Sequence, residues 1–126
     1  MLNQIQLENI KLAKNIIVAT ADNNKPRAII VQPSRIENDK IVICNIQMNH
    51  TFKNLLENKQ CFVNIYIPEK EDLQYKIDGE AEILSSGELY EEIKNFEENE
   101  NGLLEYGLTV KDIIVIKITN VEESNG

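Results

Sequence analysis

From Leu73 to Ile83 the chain alternates without a break: Leu73, Tyr75, Ile77, Gly79, Ala81 and Ile83 take one set of places, Gln74, Lys76, Asp78, Glu80 and Glu82 the other. A helix returns to the same face every third or fourth residue and would scatter this pattern around its circumference. A strand sends successive side chains to opposite sides and sorts it cleanly. The segment is therefore expected to be a long strand with one face in a core and one in water. Gly79 is expected to mark a bend or bulge in it, and curved strands of this kind close barrels.

The neighbouring segments support a mainly β chain. Asn15 to Ala21 and Pro26 to Pro33 are β-branched runs joined by the turn-forming Asp22 to Lys25, and Lys40 to Ile46 follows a turn at Glu37 to Asp39. These three are expected to form an antiparallel meander. Cys61 to Ile67 is a fourth strand, Leu73 to Ile83 the fifth and Asp112 to Thr119 the sixth. Short helices are expected over 3–13, over Thr51 to Asn58 with Asn49 or Thr51 as cap, and from about Glu88 to Glu98, where Ser85 and Glu88 have capping-box spacing. Leu103 to Val110 reads as an irregular connection and 121–126 as a frayed tail. The expected fold is a six-stranded antiparallel split β-barrel with short helices, built as a single domain over 1–126.

Charge and composition exclude several functions. Twenty-one acids against 13 bases give a formal net charge of -8, which opposes binding to a polyphosphate backbone, and exposed aromatics for base stacking are scarce. No nucleic-acid partner is expected, which leaves an oligonucleotide-binding barrel as the weakest alternative. The N-terminal residues hold no continuous apolar run, so neither a membrane span nor an export signal is expected and the cytoplasm is the expected location. Cys44 and Cys61 sit in apolar strands without metal-ligand spacing, so they read as buried reduced thiols, with no metal site. His50 is the only histidine, and no nucleophile is marked for it.

The order of the segments carries a further signal. Ala19, Thr20 and Asp22 with Lys25 and Pro26, then Met48, Thr51, Asn54 and Leu55, then Gly79, Ala81 and Ile83 fall in one sequence of spacings from Ile16 to about Thr119. In this respect the chain resembles the pyridoxamine 5'-phosphate oxidase-like FMN-binding split barrels, in particular their small bacterial FMN-binding members. The resemblance implies FMN bound at a homodimer interface and exchange of electrons with a small-molecule donor or acceptor.

The residues have plain readings beside the implied ones. His50, Thr51 and Lys53 stand at an expected helix start, where free N–H groups and the dipole favour an anion. The resemblance carries phosphate binding onto His50 and Thr51, and onto Lys53; a surface loop residue, an N-cap and a solvated lysine are the plain alternatives. The family pattern has lysine where this chain has His50. Arg27 is a further phosphate candidate or simply a solvent-facing strand residue. The resemblance places the ring along Ile29, Ile30, Val31 and Gln32, with Cys44, Asn45 and Ile46 opposite, although Ile29 to Val31 also read as core. Family members carry polar groups at the Ile30 and Val31 positions, so hydrogen bonds there must come from the backbone. Asn45 needs a partner if buried, a flavin carbonyl being one choice. Tyr106 and Leu108 are candidates to close over FMN from the second subunit, or to pack ordinarily. The alternative to a redox protein is a non-catalytic barrel that stores FMN, binds haem or deazaflavin, or has lost its ligand.

If His50 contacts the phosphate, FMN affinity falls as pH rises through the ordinary imidazole range near about 6.5. Fluorescence titrations at pH 5.5 to 8 check this, and constant affinity contradicts the role.

Overall fold

The computed structural model describes residues 1–22, 24–46 and 50–125, and the side chains of Asp22 and His50 lie outside the description. In chain order its elements are α1 (Gln4–Ile10), β1 (Ile16–Asp22), β2 (Lys25–Val31), β3 (Arg35–Ile36), β4 (Lys40–Asn45), α2 (His50–Glu57), β5 (Gln60–Ile67), β6 (Leu73–Leu84), α3 (Glu88–Asn95) and β7 (Asp112–Asn125). All ladders are antiparallel, and the strands form one sheet in the order β2-β1-β5-β6-β7-β4-β3. The expected mainly β class holds, with β3 a seventh strand of two residues.

The alternating segment is the centre of the sheet. β6 buries Leu73, Tyr75, Ile77, Gly79 and Ala81 on one face, pairing with β5 on one side and β7 on the other. The ladder to β7 slips between Asp78 and Gly79: Asp78 faces Asn120 whereas Gly79 faces Ile118. Thr119 is the extra residue, and its Oγ1 donates to the Asp78 carbonyl at 3.1 Å. Glycine is required here because a Cβ would overlap Ile116 Cγ2 and approach the Lys117 carbonyl to 3.2 Å. The bulge expected at Gly79 is present. The frayed tail is not, since 121–125 continue β7 along the first half of β6. Because β6 extends beyond the bulge, it offers these residues a complete ladder.

The meander expectation is corrected as well. β1 and β2 form the expected hairpin, but β4 lies at the far side of the sheet between β7 and β3. Pro33 has no N–H to extend the β2 ladder, and the next N–H, of Ser34, donates to the Val42 carbonyl at 2.8 Å. The chain thus leaves β1 and attaches to β4. The capping box at Ser85 does not form either: Gly87, at φ 101°, is the N-cap of α3, without a side-chain cap bond. A reciprocal box is found at α1 instead, between Asn3 and Gln6. Beyond Asn95 the helix widens into a π turn, Phe96–Glu100, and the connection to β7 includes a short 3-10 turn, Leu103–Tyr106.

Two apolar clusters hold the sheet. Val18, Ile41, Ile43, Val63, Ile65, Tyr75, Ile77, Ile114 and Ile116 fill the concave side. Val42, Cys44, Tyr90, Ile93, Val110 and Ile113 form a second cluster under α3. β4 serves both, which is why its sequence is continuously apolar where β6 alternates. Among the described residues nothing covers the outer face of β2, β1 and β5 in this way, and Ile17, Ile30 and Phe62 are exposed.

Gly79→Ala is expected to lower stability by about 1–3 kcal/mol, because the added methyl overpacks the bulge. The exposed Glu80→Ala on the same strand is expected to stay within about 0.5 kcal/mol. Urea unfolding of both variants measures the contrast.

Candidate functional site

Where β2 ends and β4 ends, the sheet opens into a cleft of about 300 Å³. Val31 and Gln32 come from the end of β2, Ser34 from the crossing, and Cys44 and Ile46 from β4 and the residue after it. Glu97, Asn101 and Leu103 close the far side from the π turn and the 3-10 turn. Val31, Ile46 and Leu103 supply apolar walls, while Gln32, Ser34 and Asn101 supply donors and acceptors. This is the composition of a site for a flat ring with a polar edge.

Among the described residues of the cleft no nucleophile is activated. Burial pushes the Cys44 thiol up to about 11, against the opposing effect of Ser34, whose Oγ lies 3.0 Å from Sγ. Burial likewise pushes Cys61 up to about 12. Both thiols stay protonated near neutral pH. Among the described residues no group of three or more His, Cys, Asp or Glu is arranged to hold a metal ion.

A second set of candidates gathers at the start of α2. The first N–H groups of that helix have no intrahelical acceptor. Thr51, only 2% exposed, and Asn54 turn inward, and Asn54 Nδ2 donates to Thr20 Oγ1 on β1 at 3.0 Å. Thr51 lies inside α2, one residue past its start, so it does not cap the helix. Lys53 is exposed. Arg27, also exposed, lies opposite Thr20 in the β1–β2 ladder, so its side chain leaves the sheet on the side α2 covers. Met48 and Asn49 lie outside the described residues, as does the His50 side chain.

The structure brings Val31 and Gln32 together with Cys44 and Ile46, although β2 and β4 are not neighbours in the sheet. It does not bring Ile30 there. Strand alternation points Ile30 to the outer face beside Ile17, where it is 72% exposed. Asn45 is buried, and its Nδ2 donates to Asp112 Oδ2 at 3.4 Å. Tyr106 is 78% exposed and is not among the residues that line the cleft. Ser34, Glu97, Asn101 and Leu103 were not foreseen from the sequence. The last three come from the segment after α3, whose approach to β4 is set by tertiary contacts.

That approach rests on Glu98. Its carboxylate is buried at the π turn, pairs with Lys94 and accepts the Val110 N–H at 2.7 Å. The Tyr90 hydroxyl donates to the Val110 and Lys111 carbonyls at 3.4 and 3.3 Å. Residues Asn101 and Leu103 are thus held between two fixed points. The Lys94 ammonium, and after it the Val110 N–H, hold the Glu98 carboxyl below the usual carboxylate range.

Comparison with known proteins agrees with this geometry. The sequence pattern described as pyridoxamine 5'-phosphate oxidase matches residues 5–125. No curated protein matches the chain in sequence. Among solved structures, HupZ of Group A Streptococcus superposes with a TM-score of 0.83 at 20% identity, covering 100% of this chain and 96% of that one. HutZ of Vibrio cholerae, described as a heme storage protein, gives 0.75 at 14% identity over 99% and 95%. An FMN-binding protein of Syntrophomonas wolfei gives 0.68 at 18% identity over 94% and 88%. At these identities the likeness is one of fold.

Because the folded-state pKa of Glu98 is depressed, its contribution to stability is full above the unfolded value of about 4.3 and is lost as pH falls through the folded value. Glu98→Gln is expected to lower Tm at pH 7, with the difference from wild type shrinking as pH drops below about 4. Thermal unfolding between pH 7 and pH 3 checks it; a pH-independent difference contradicts the assignment.

Proposed function

Since the chain belongs to the pyridoxamine 5'-phosphate oxidase family, we propose that it is a cytoplasmic, single-domain FMN-binding flavoprotein that works as a homodimer and exchanges electrons with a small-molecule donor or acceptor. One observation carries the reading: an apolar-walled cleft is lined by Ile46, and a helix start, whose first N–H groups have no intrahelical acceptor, lies at His50. Four residues of chain span at most about 14 Å, so one elongated ligand can place a ring in the first and a phosphate at the second. FMN has that form.

In this reading Val31, Ile46 and Leu103 hold the ring, and Gln32, Ser34 and Asn101 meet its polar edge. The α2 N–H groups, Lys53, Arg27 and His50 meet the phosphate. Ile30 and Asn45 take part only through backbone atoms. The bound flavin supplies hydride or electron transfer, while the chain positions it and keeps water from one face.

The uncovered outer face supports the dimer. Ile17 pairs across the ladder with Ile30, and Ala19 with both Ala28 and Phe62. These residues make a contiguous apolar surface on an otherwise acidic chain, the kind of patch a two-fold partner covers. Tyr106 extends from its own chain and in a dimer would reach the partner's site. A non-catalytic barrel is the second reading, for storage of FMN or for haem or deazaflavin. The absence of an activated thiol among the described cleft residues favours it, and so does the likeness to a heme storage protein.

The visible spectrum of the purified protein, with mass spectrometry of the released ligand, separates the two. A yellow protein that a nicotinamide nucleotide reduces supports the flavoprotein; a colourless one that takes up no added FMN sinks it. Loss of charge-assisted contacts in Arg27→Ala and Lys53→Ala is expected to weaken FMN binding by roughly 10-fold or more each. Ile30→Lys is expected to shift the protein to monomer in light scattering, and a dimer unaffected by it contradicts the outer-face interface.

A further inference from the structure

A second cleft of about 410 Å³ lies beside the first and meets it at Ser34. Arg35 on β3 forms one wall; Glu92 and Phe96 form the other, Ile93 is the floor, and Glu100 stands at the end of the π turn. The π turn therefore separates the two clefts, giving Phe96 and Glu100 to one and Glu97 to the other. Such turns interrupt helices frequently where ligands bind.

The ion pair across this cleft is weakly held. Arg35 Nη2 donates to Glu92 Oε1 at 2.6 Å, with the side chains 35% and 55% exposed. A pair exposed to that degree contributes about 0–1 kcal/mol. Among the described residues this is the only hydrogen bond of the guanidinium, so most of its N–H donors are open. Phe96, 41% exposed, and the buried Ile93 line the same cleft. The cleft thus combines a donor fork, two carboxylates and an aromatic surface.

We propose that this cleft binds a zwitterionic, amino-acid-like molecule with an apolar or aromatic side chain. Its carboxylate takes the open donors of Arg35, its ammonium takes Glu92 and Glu100, and its side chain lies on Phe96. Such a ligand enters between Arg35 and Glu92 and turns one ion pair into two, leaving the net charge of the site unchanged. A simple anion would face two carboxylates against one guanidinium. A simple amine would compete with Arg35 for Glu92 and leave the donor fork unused. The site stands independently of whether the first cleft holds FMN.

Calorimetric titration of the full chain with L-phenylalanine, phenethylamine and 3-phenylpropionate tests the assignment. L-phenylalanine is expected to bind, and each singly charged analogue to bind at least about 10-fold more weakly, a difference of about 1.4 kcal/mol. Arg35→Gln and Phe96→Ala are each expected to weaken L-phenylalanine by a similar factor while FMN uptake is retained. Glu100→Gln, at the exposed end of the π turn, gives a second variant if Arg35→Gln fails to fold, with the same loss expected for L-phenylalanine and none for 3-phenylpropionate. No binding of L-phenylalanine at millimolar concentration overturns the proposal. So does equal binding of either analogue, or affinity unmoved by Arg35→Gln or by its replacement, Glu100→Gln.

Discussion

Burial of β4 on both faces is the constraint around which the rest of this structure is arranged. Ile41 and Ile43 close the concave core, and Val42 and Cys44 close the cluster under α3. A strand with no wet face cannot sit at the end of a two-layer hairpin stack. It has to lie between β7 and β3 with a helix above it, and the chain must cross from β2 to reach that place. The crossing creates the cleft, because β2 and β4 end near each other without being hydrogen-bonded partners. β6 and β7 provide the complementary constraint: their bulge at Gly79 lets one continuous ladder bend around the core.

Much of the fold was legible in the sequence for the same physical reason. Strict alternation along Leu73 to Ile83 has only one regular solution, and the glycine within it marked the one place where the ladder had to slip. Local patterns identified the other five long strands as well. Their neighbours were less legible. The apolar run Lys40 to Ile46 signals a strand but not which strand it joins, since that choice depends on the helix that covers its second face. The ladder of 121–125 was missed because Glu122, Glu123 and Ser124 carry no apolar signal; it is backbone pairing with β6 that runs along all of them.

The candidate site divides along similar lines. Val31, Gln32, Cys44 and Ile46 were expected together from a family resemblance and do share a cleft. Ile30 was not separable from Val31 by composition; strand alternation sends it to the outer face, where Ile17 and Phe62 are exposed as well. Glu97, Asn101 and Leu103 carried no local signal. They arrive at the cleft because Glu98 and Tyr90 fasten the chain at Val110, a contact spanning residues far enough apart that no pattern announces it. Buried polar groups of this type cost stability unless paired, and here each serves to fix a wall.

The central claim is that one elongated ligand, FMN, joins the cleft at Ile46 to the helix start at His50. Amide hydrogen exchange of the chain with and without FMN tests it most directly. The account predicts slowed exchange confined to the cleft around Ser34, Ile46 and Asn101 to Leu103, together with the first turn of α2. Protection appearing elsewhere on the sheet, or no change at saturating FMN, would contradict it.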